Sequence, residues 1–168
     1  MGFLTGKKFL ITGISSNRSI AYGIAKACAR EGAELALSYN NERFKERVQG
    51  FADEFGAGQV IKLDASSDES IDLAALELAN RWTDGFDGFV HSIGWAPRES
   101  ISGSFLKGAS REGFLSAMNV SVYSYIAMAK RNGPVNGRPQ SFFADIVLPR
   151  RRKSRSQLQH DGTLQSSA

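Results

Sequence analysis

The chain has 168 residues, 42% of them apolar and 23% charged, which suits one soluble domain with a sizeable core and excludes two ordinary ones. No stretch approaches the roughly 20 apolar residues needed to cross a bilayer, and Cys28 as the one cysteine excludes an internal disulfide framework and suits a reducing cytosol. The net charge of +4 is unevenly placed: residues 1–130 hold 14 Lys/Arg against 15 Asp/Glu, whereas residues 131–168 hold 7 against 2.

Met1 to Lys8 carries no long apolar run behind its charges, so no secretory signal is expected. Gly6 stands where N-myristoylation needs a hydroxyl, so that motif fails too. Phe9-Leu10-Ile11-Thr12 is a short β-rich run ending at Gly13, the pattern of a buried strand. Ser19 is placed to cap a helix whose apolar positions are Ile20, Ile24, Ala27 and Cys28, with Gly32 suited to its stop. Glu34 to Tyr39 reads as a second strand. A charged helix comes next, from about Glu42 to Phe55, with Phe44, Val48, Phe51 and Phe55 on one face. Gln59 to Leu63 is a third strand, Ser67 to Trp82 a third helix, and Phe86 to Ser92 a fourth strand. After a loop from Gly94 to Ala109, residues 110–130 read as one further helix.

Strands alternating with helices at this pitch predict parallel βαβ units with right-handed crossovers. The pattern stops near residue 130. Residues 131–168 hold three of the four prolines, the run Arg150-Arg151-Arg152-Lys153 and a Gln/Ser-rich end, with neither strand nor helix period. Two segments are therefore expected, 1–130 as a folded half and 131–168 as an irregular basic tail. That basic run lacks interleaved aromatics and any helix-turn-helix pattern, so neither nucleic acid nor a membrane is expected as partner.

In such a sheet the turn leaving the first strand meets the next helix at its N-terminus, where free N–H groups and the helix dipole favour a diphosphate. Here that turn runs from Gly13 to Ala21, with Ser19 standing near where a later glycine of G-x-G-x-x-G would lie. Asp64, ending the third strand, is placed to accept from an adenine amino group, although an Asp there also serves as a turn or cap residue. Ser92-Ile93-Gly94 lets backbone approach a ribose. Asn40, ending the second strand, occupies the place of the acidic residue that holds the ribose hydroxyls of NAD.

Met1 to Leu4, Thr12-Gly13 through Ser19-Ile20-Ala21-Tyr22-Gly23-Ile24-Ala25, and Phe86 through His91-Ser92-Ile93-Gly94 closely resemble the bacterial enoyl-acyl-carrier-protein reductases of the short-chain dehydrogenase superfamily. So do Arg111-Glu112-Gly113-Phe114 and Tyr123-Ser124-Tyr125. The resemblance covers residues 1–130. It implies a Rossmann-type doubly wound parallel α/β sheet whose C-terminal half is missing. It further implies NADH as cofactor, with NADPH disfavoured because Asn40 adds no positive charge, though Arg43 and Lys45 lie near. By resemblance, Gly13, Ser19, Ile20, Asn40, Asp64, Ala65 and Ile93 line the dinucleotide and Ala96 lies near the acyl substrate. The intact enzymes reduce the trans-2 double bond of an acyl-carrier-protein thioester in cytoplasmic fatty acid biosynthesis and assemble as homotetramers.

The family's catalytic tyrosine and lysine come after a fifth strand in Y-x6-K spacing. Tyr123 and Lys130 reproduce that spacing, but inside the last helix, where seven residues is two turns. They are read as packing residues, and no catalytic residue is assigned. Asn119 is a candidate for holding a water, as an asparagine in this helix does in many short-chain dehydrogenases. Read one nucleotide later with free choice among synonymous codons, Ile146 to Ser167 can encode a string resembling the family's active-site segment. A frameshift near Lys130-Arg131 is the expectation. The fourth strand is then expected to be an unpaired sheet edge, and the product poorly soluble and without reductase activity. The alternative is a non-catalytic fragment that still binds dinucleotide.

Overall fold

The computed structural model describes residues 2–58 and 60–131 together with the backbone of the strand Phe142–Asp145. Five strands and seven α-helices are found there: β1 (Lys8–Ile11), α1 (Ile20–Arg30), β2 (Glu34–Tyr39), α2 (Glu42–Phe55), β3 (Val60–Lys62), α3 (Asp68–Arg81), β4 (Gly88–His91), α4 (Arg98–Ile101), α5 (Phe105–Gly108), α6 (Arg111–Met118), α7 (Ser124–Arg131) and β5 (Phe142–Asp145). A π-helical segment, Asn119–Tyr123, joins α6 to α7.

All pairings are parallel, and the strand order is β3-β2-β1-β4-β5. This is a Rossmann-like α/β sheet. Side chains alternate across it with period two. Leu10 pairs with Ala36 and Phe89, and all three face the layer of α3 and α7 with Ile71, Ala74, Leu78, Ala127 and Met128. One residue on, Ile11 pairs with Leu37 and Val90, and these face α1 and α2 with Ala21, Ala25, Val48 and Ala52. Both faces are covered, which is why these strands read as continuous apolar runs.

The helix ends obey their caps. Ser19 accepts from the Tyr22 N–H, Asn41 from the Arg43 N–H and Ser67 from the Ser70 N–H, each satisfying a donor that its first turn leaves open. No described helix is long and apolar enough to cross a membrane.

Two expectations are corrected. β4 is not an edge: Gly88 to His91 pair with Phe142 to Asp145 along their whole length. The tail therefore supplies a strand. A strand of a covered parallel sheet is a short apolar run without alternation, and the four-residue Phe142-Phe143-Ala144-Asp145 is too brief for periodicity to register. The rest of the tail, including Arg150 to Lys153, lies outside the described residues. The predicted single helix over 110–130 is also interrupted, because the π segment inserts one extra residue that a search for 3.6-residue periodicity does not see.

Candidate functional site

The strand order turns at β1, whose neighbours β2 and β4 belong to opposite halves of the sheet. Ligands in open α/β sheets sit outside the carboxyl ends of the strands at such a point. A cleft of about 750 Å³ opens there, within the range of small-molecule sites. Gly13, Ser19, Asn40, Asp64, Ala65 and Ile93 all line it. Ile20 and Ala96 do not.

The floor is the turn between β1 and α1. Gly13 has φ +81°, and a Cβ built on it would lie 1.9 Å from the Ser92 carbonyl oxygen. Only glycine fits both the backbone angle and the approach. The Thr12 hydroxyl donates to the Val90 carbonyl at 3.0 Å and accepts from the Ser92 N–H at 3.4 Å, so β1 and β4 leave the sheet together. Farther along, the Ser19 N–H and hydroxyl both donate to the Ser16 carbonyl, at 3.0 and 2.7 Å, and the Ser16 hydroxyl accepts from the Arg18 N–H. The turn is held by its own serines. With the Ser19 side chain spent on the Tyr22 N–H, the N–H groups of Ile20 and Ala21 open the helix without an intrahelical acceptor. A role for Ile20 would run through its backbone, which accounts for its side chain standing outside the cleft.

Asn40 is exposed at the end of β2, beside its lining neighbours Ser38, Tyr39 and Arg43. The Arg43 guanidinium stacks on the Phe44 ring at 4.7 Å, whereas the Lys45 ammonium lies 5.9 Å from the Tyr39 ring and does not line the cleft. Asp64 Oδ1 accepts from the Ser66 N–H at 2.9 Å and the Ser66 hydroxyl at 2.6 Å, which fixes the carboxylate at the cleft wall. The opposite wall is Ser92 to Trp95, faced by Ser116, Asn119 and Val120. Asn119 is thus brought to the cleft by the first residue of the π segment. Tyr123 goes elsewhere: its phenol donates to Asp68 at 3.4 Å, and neither Tyr123 nor Lys130 lines the cleft.

Arg18, Phe44, Trp95 and Ser116 also line the cleft and are not singled out by the sequence. Phe44 reads as one more apolar residue of the α2 stripe, and Ser116 lies more than 20 residues from any cleft-lining strand end. Only the fold, through the junction of α6 with the π segment, brings it to the others.

A parallel sheet with a glycine turn at its switch point, leading into a side-chain-capped helix, defines the Rossmann class. The family model described as Enoyl-(Acyl carrier protein) reductase matches residues 13–147. The chain belongs to that family. It is 51% identical over 134 residues to the enoyl-acyl-carrier-protein reductase (NADH) FabI of Haemophilus influenzae, covering 80% of this chain and 51% of the relative. Against the Neisseria meningitidis protein of the same name it is 50% identical over 145 residues, 86% of this chain and 55% of the relative. The crystal structure of the Aquifex aeolicus enoyl-acyl-carrier-protein reductase (NADH) superposes with a TM-score of 0.81 at 42% identity, over 86% of this chain and 56% of that one. The Anaplasma phagocytophilum reductase, solved in complex with NAD, gives 0.75 at 35% identity over 80% and 51%. The chain spans about half the length of the curated relatives it matches. The family match runs through β5, past residue 130.

Proposed function

We propose that this chain is the NADH-holding half of an NADH-dependent enoyl-acyl-carrier-protein reductase. The observation that carries this reading is the contact between Gly13 and Ser92, a cradle that any Cβ would fill, at the mouth of a capped helix. The N–H groups at the start of α1 hold the diphosphate, assisted by the helix dipole. The Asn40 amide takes the adenosine ribose, Asp64 and Ala65 enclose the adenine, and Ile93 with Gly94 lies against the second ribose. Ala96 borders the acyl chain. When bound, the nicotinamide supplies the hydride that saturates the enoyl thioester.

The donor that stabilises the developing enolate oxygen, and the lysine that steadies the ribose, come after the fifth strand in the resemblance. In this chain that place falls beyond β5, in residues 146–168. A change of frame near Lys130-Arg131, read from the string that Ile146 to Ser167 can encode one nucleotide later, belongs to this proposal and accounts for the lost tyrosine and lysine. The chain then binds NADH without turning over. A cytoplasmic setting and a homotetramer go with the family. The exposed apolar side chains Leu73, Leu76, Val122 and Ile126 on α3 and the 119–131 helix offer a face to a second copy.

The test is a titration of the full chain with NADH, read by energy transfer from Trp95 at the cleft wall, and then an assay with a trans-2-enoyl thioester. Saturable binding without NADH oxidation supports the reading. No binding sinks it, and turnover would return Tyr123 and Lys130 to consideration. The coding DNA between codons 131 and 168 decides the change of frame.

A further inference from the structure

We infer that Ser121 is a positioning residue for the cleft, tying the wall beyond β4 to the π segment through a single hydroxyl; this rests on the NADH-binding reading above. Ser121 Oγ donates to the Trp95 carbonyl at 3.0 Å and accepts from the Trp95 N–H at 3.0 Å. One side chain thus satisfies both backbone groups of a residue 26 positions away, as a strand partner would.

The wall needs such a tie. Ser92, Ile93, Gly94 and Trp95 all line the cleft, yet they lie past the end of β4 and, among the described residues, pair with no strand. Their near end is fixed by the Ser92 N–H on the Thr12 hydroxyl. Between the two anchors stands Gly94, exposed, with nothing within 4 Å of where its Cβ would be. No neighbour in the fold demands glycine there, which leaves the position open to close approach by a ligand and the backbone between the anchors free to bend. Release of Trp95 would leave Ile93 and Gly94 free to swing.

The π segment explains why Ser121 is available. A serine in a helix commonly bonds back to the carbonyl four residues earlier. Ser124 does so, donating to the Val120 carbonyl at 2.7 Å, while its own N–H reaches five residues back to Asn119. Ser121 is turned outward to the loop instead. One extra residue rotates the downstream turns of a helix by about 100° relative to the upstream ones. Ser116, Asn119 and Val120 therefore face the cleft, while Ser124, Ala127 and Met128 are buried under the sheet. Ser121 makes these two surfaces and the loop one unit.

The test uses the full chain and the variants Ser121→Ala and Ser121→Thr. Hydrogen exchange at the Trp95 amide reads the clamp directly, and NADH titration reads its consequence. Ser121→Ala is expected to lose Trp95 protection and to weaken NADH about tenfold, the order expected when one hydrogen-bonded constraint must be re-formed on binding. The thermal midpoint stays in place, and Ser121→Thr restores both readouts. If the parent chain binds NADH and Ser121→Ala binds it equally well, the positioning role is overturned while the cofactor reading stands. If Ser121→Ala lowers the midpoint together with affinity and threonine rescues neither, Ser121 is structural only. A parent chain that binds no NADH overturns both readings.

Discussion

Gly13 and Ser92 stand so close that the Cα hydrogen of one faces the carbonyl oxygen of the other, leaving 1.9 Å where a Cβ would have to fit. Both partners are backbone at strand ends, so neither yields as a flexible side chain would. Gly13→Ala adds this clash to the strain of an L residue at φ +81°. The expected cost is about 2–4 kcal/mol, at the upper end for a single substitution. Urea denaturation measures it. NADH binding should be lost even where the variant remains folded, because β1 and β4 can no longer part at the same point. An alanine variant that binds like the parent would remove the central support for the site.

His91 and Ser124 form a second contact, wholly buried, on the other side of the sheet from Gly13. Ser124 gives its one hydroxyl proton to the Val120 carbonyl, so His91 Nε2, 2.8 Å from the same oxygen, is the donor to it. Ser124→Ala takes this hydroxyl both from the buried His91 ring and from a carbonyl in the π segment. The expected destabilisation is about 1–3 kcal/mol, the order for disrupting a buried hydrogen-bonded pair. Chemical denaturation against the parent chain checks this, and an unchanged midpoint would show that the pair is dispensable.

How much of this was legible in the sequence depended on range. α2 is legible over its whole span, because Phe44, Val48, Phe51 and Phe55 recur at helical spacing. Gly13, Asn40, Asp64 and Ile93 were legible as cleft-lining residues for a topological reason. Each ends a strand, and parallel strand ends converge. β5 was not, since four residues carry too little pattern to separate a buried strand from surrounding irregular sequence. The π segment was illegible for a different reason. An added residue leaves composition unchanged, and only its register against His91 and Trp95 reveals it. Ser121 was missed with it.

Asn40 sets a test of cofactor choice. It lines the cleft as a neutral amide, with the Arg43 guanidinium also on the lining and parked on Phe44. Asn40→Asp places a carboxylate where ribose hydroxyls donate and where a 2′-phosphate would be repelled. NADH is expected to bind at least as well as before. The ratio of NADPH to NADH dissociation constants should rise about tenfold, an ordinary size for adding one unfavourable charge contact. Arg43→Ala should move the same ratio in the same direction by withdrawing a cation from the lining. Parallel titrations with the two nucleotides read both variants. A ratio that neither substitution moves would mean that the adenosine ribose lies elsewhere.

Cys28 lies half-buried on α1, packed with the cluster around Ala25 and Val48, and burial pushes its thiol above the ordinary value of 9.0. The native chain therefore keeps this proton to higher pH than the unfolded chain does. Proton binding sets the sign: the contribution to stability is complete below the unfolded value and is lost as pH rises through it toward the folded one. The Tyr22 phenol, raised by its hydrogen bond to Glu54 and then by desolvation, adds a loss in the same direction, but only above its own ordinary value of 10.0. Between those two values the decline belongs to Cys28, and Cys28→Ala should flatten it. Since the thiolate is the reacting species, the native thiol should also react with a disulfide reagent at pH 8 more slowly than in urea-unfolded chain. Equal rates in the two states would contradict the placement of this side chain on the packed face of α1.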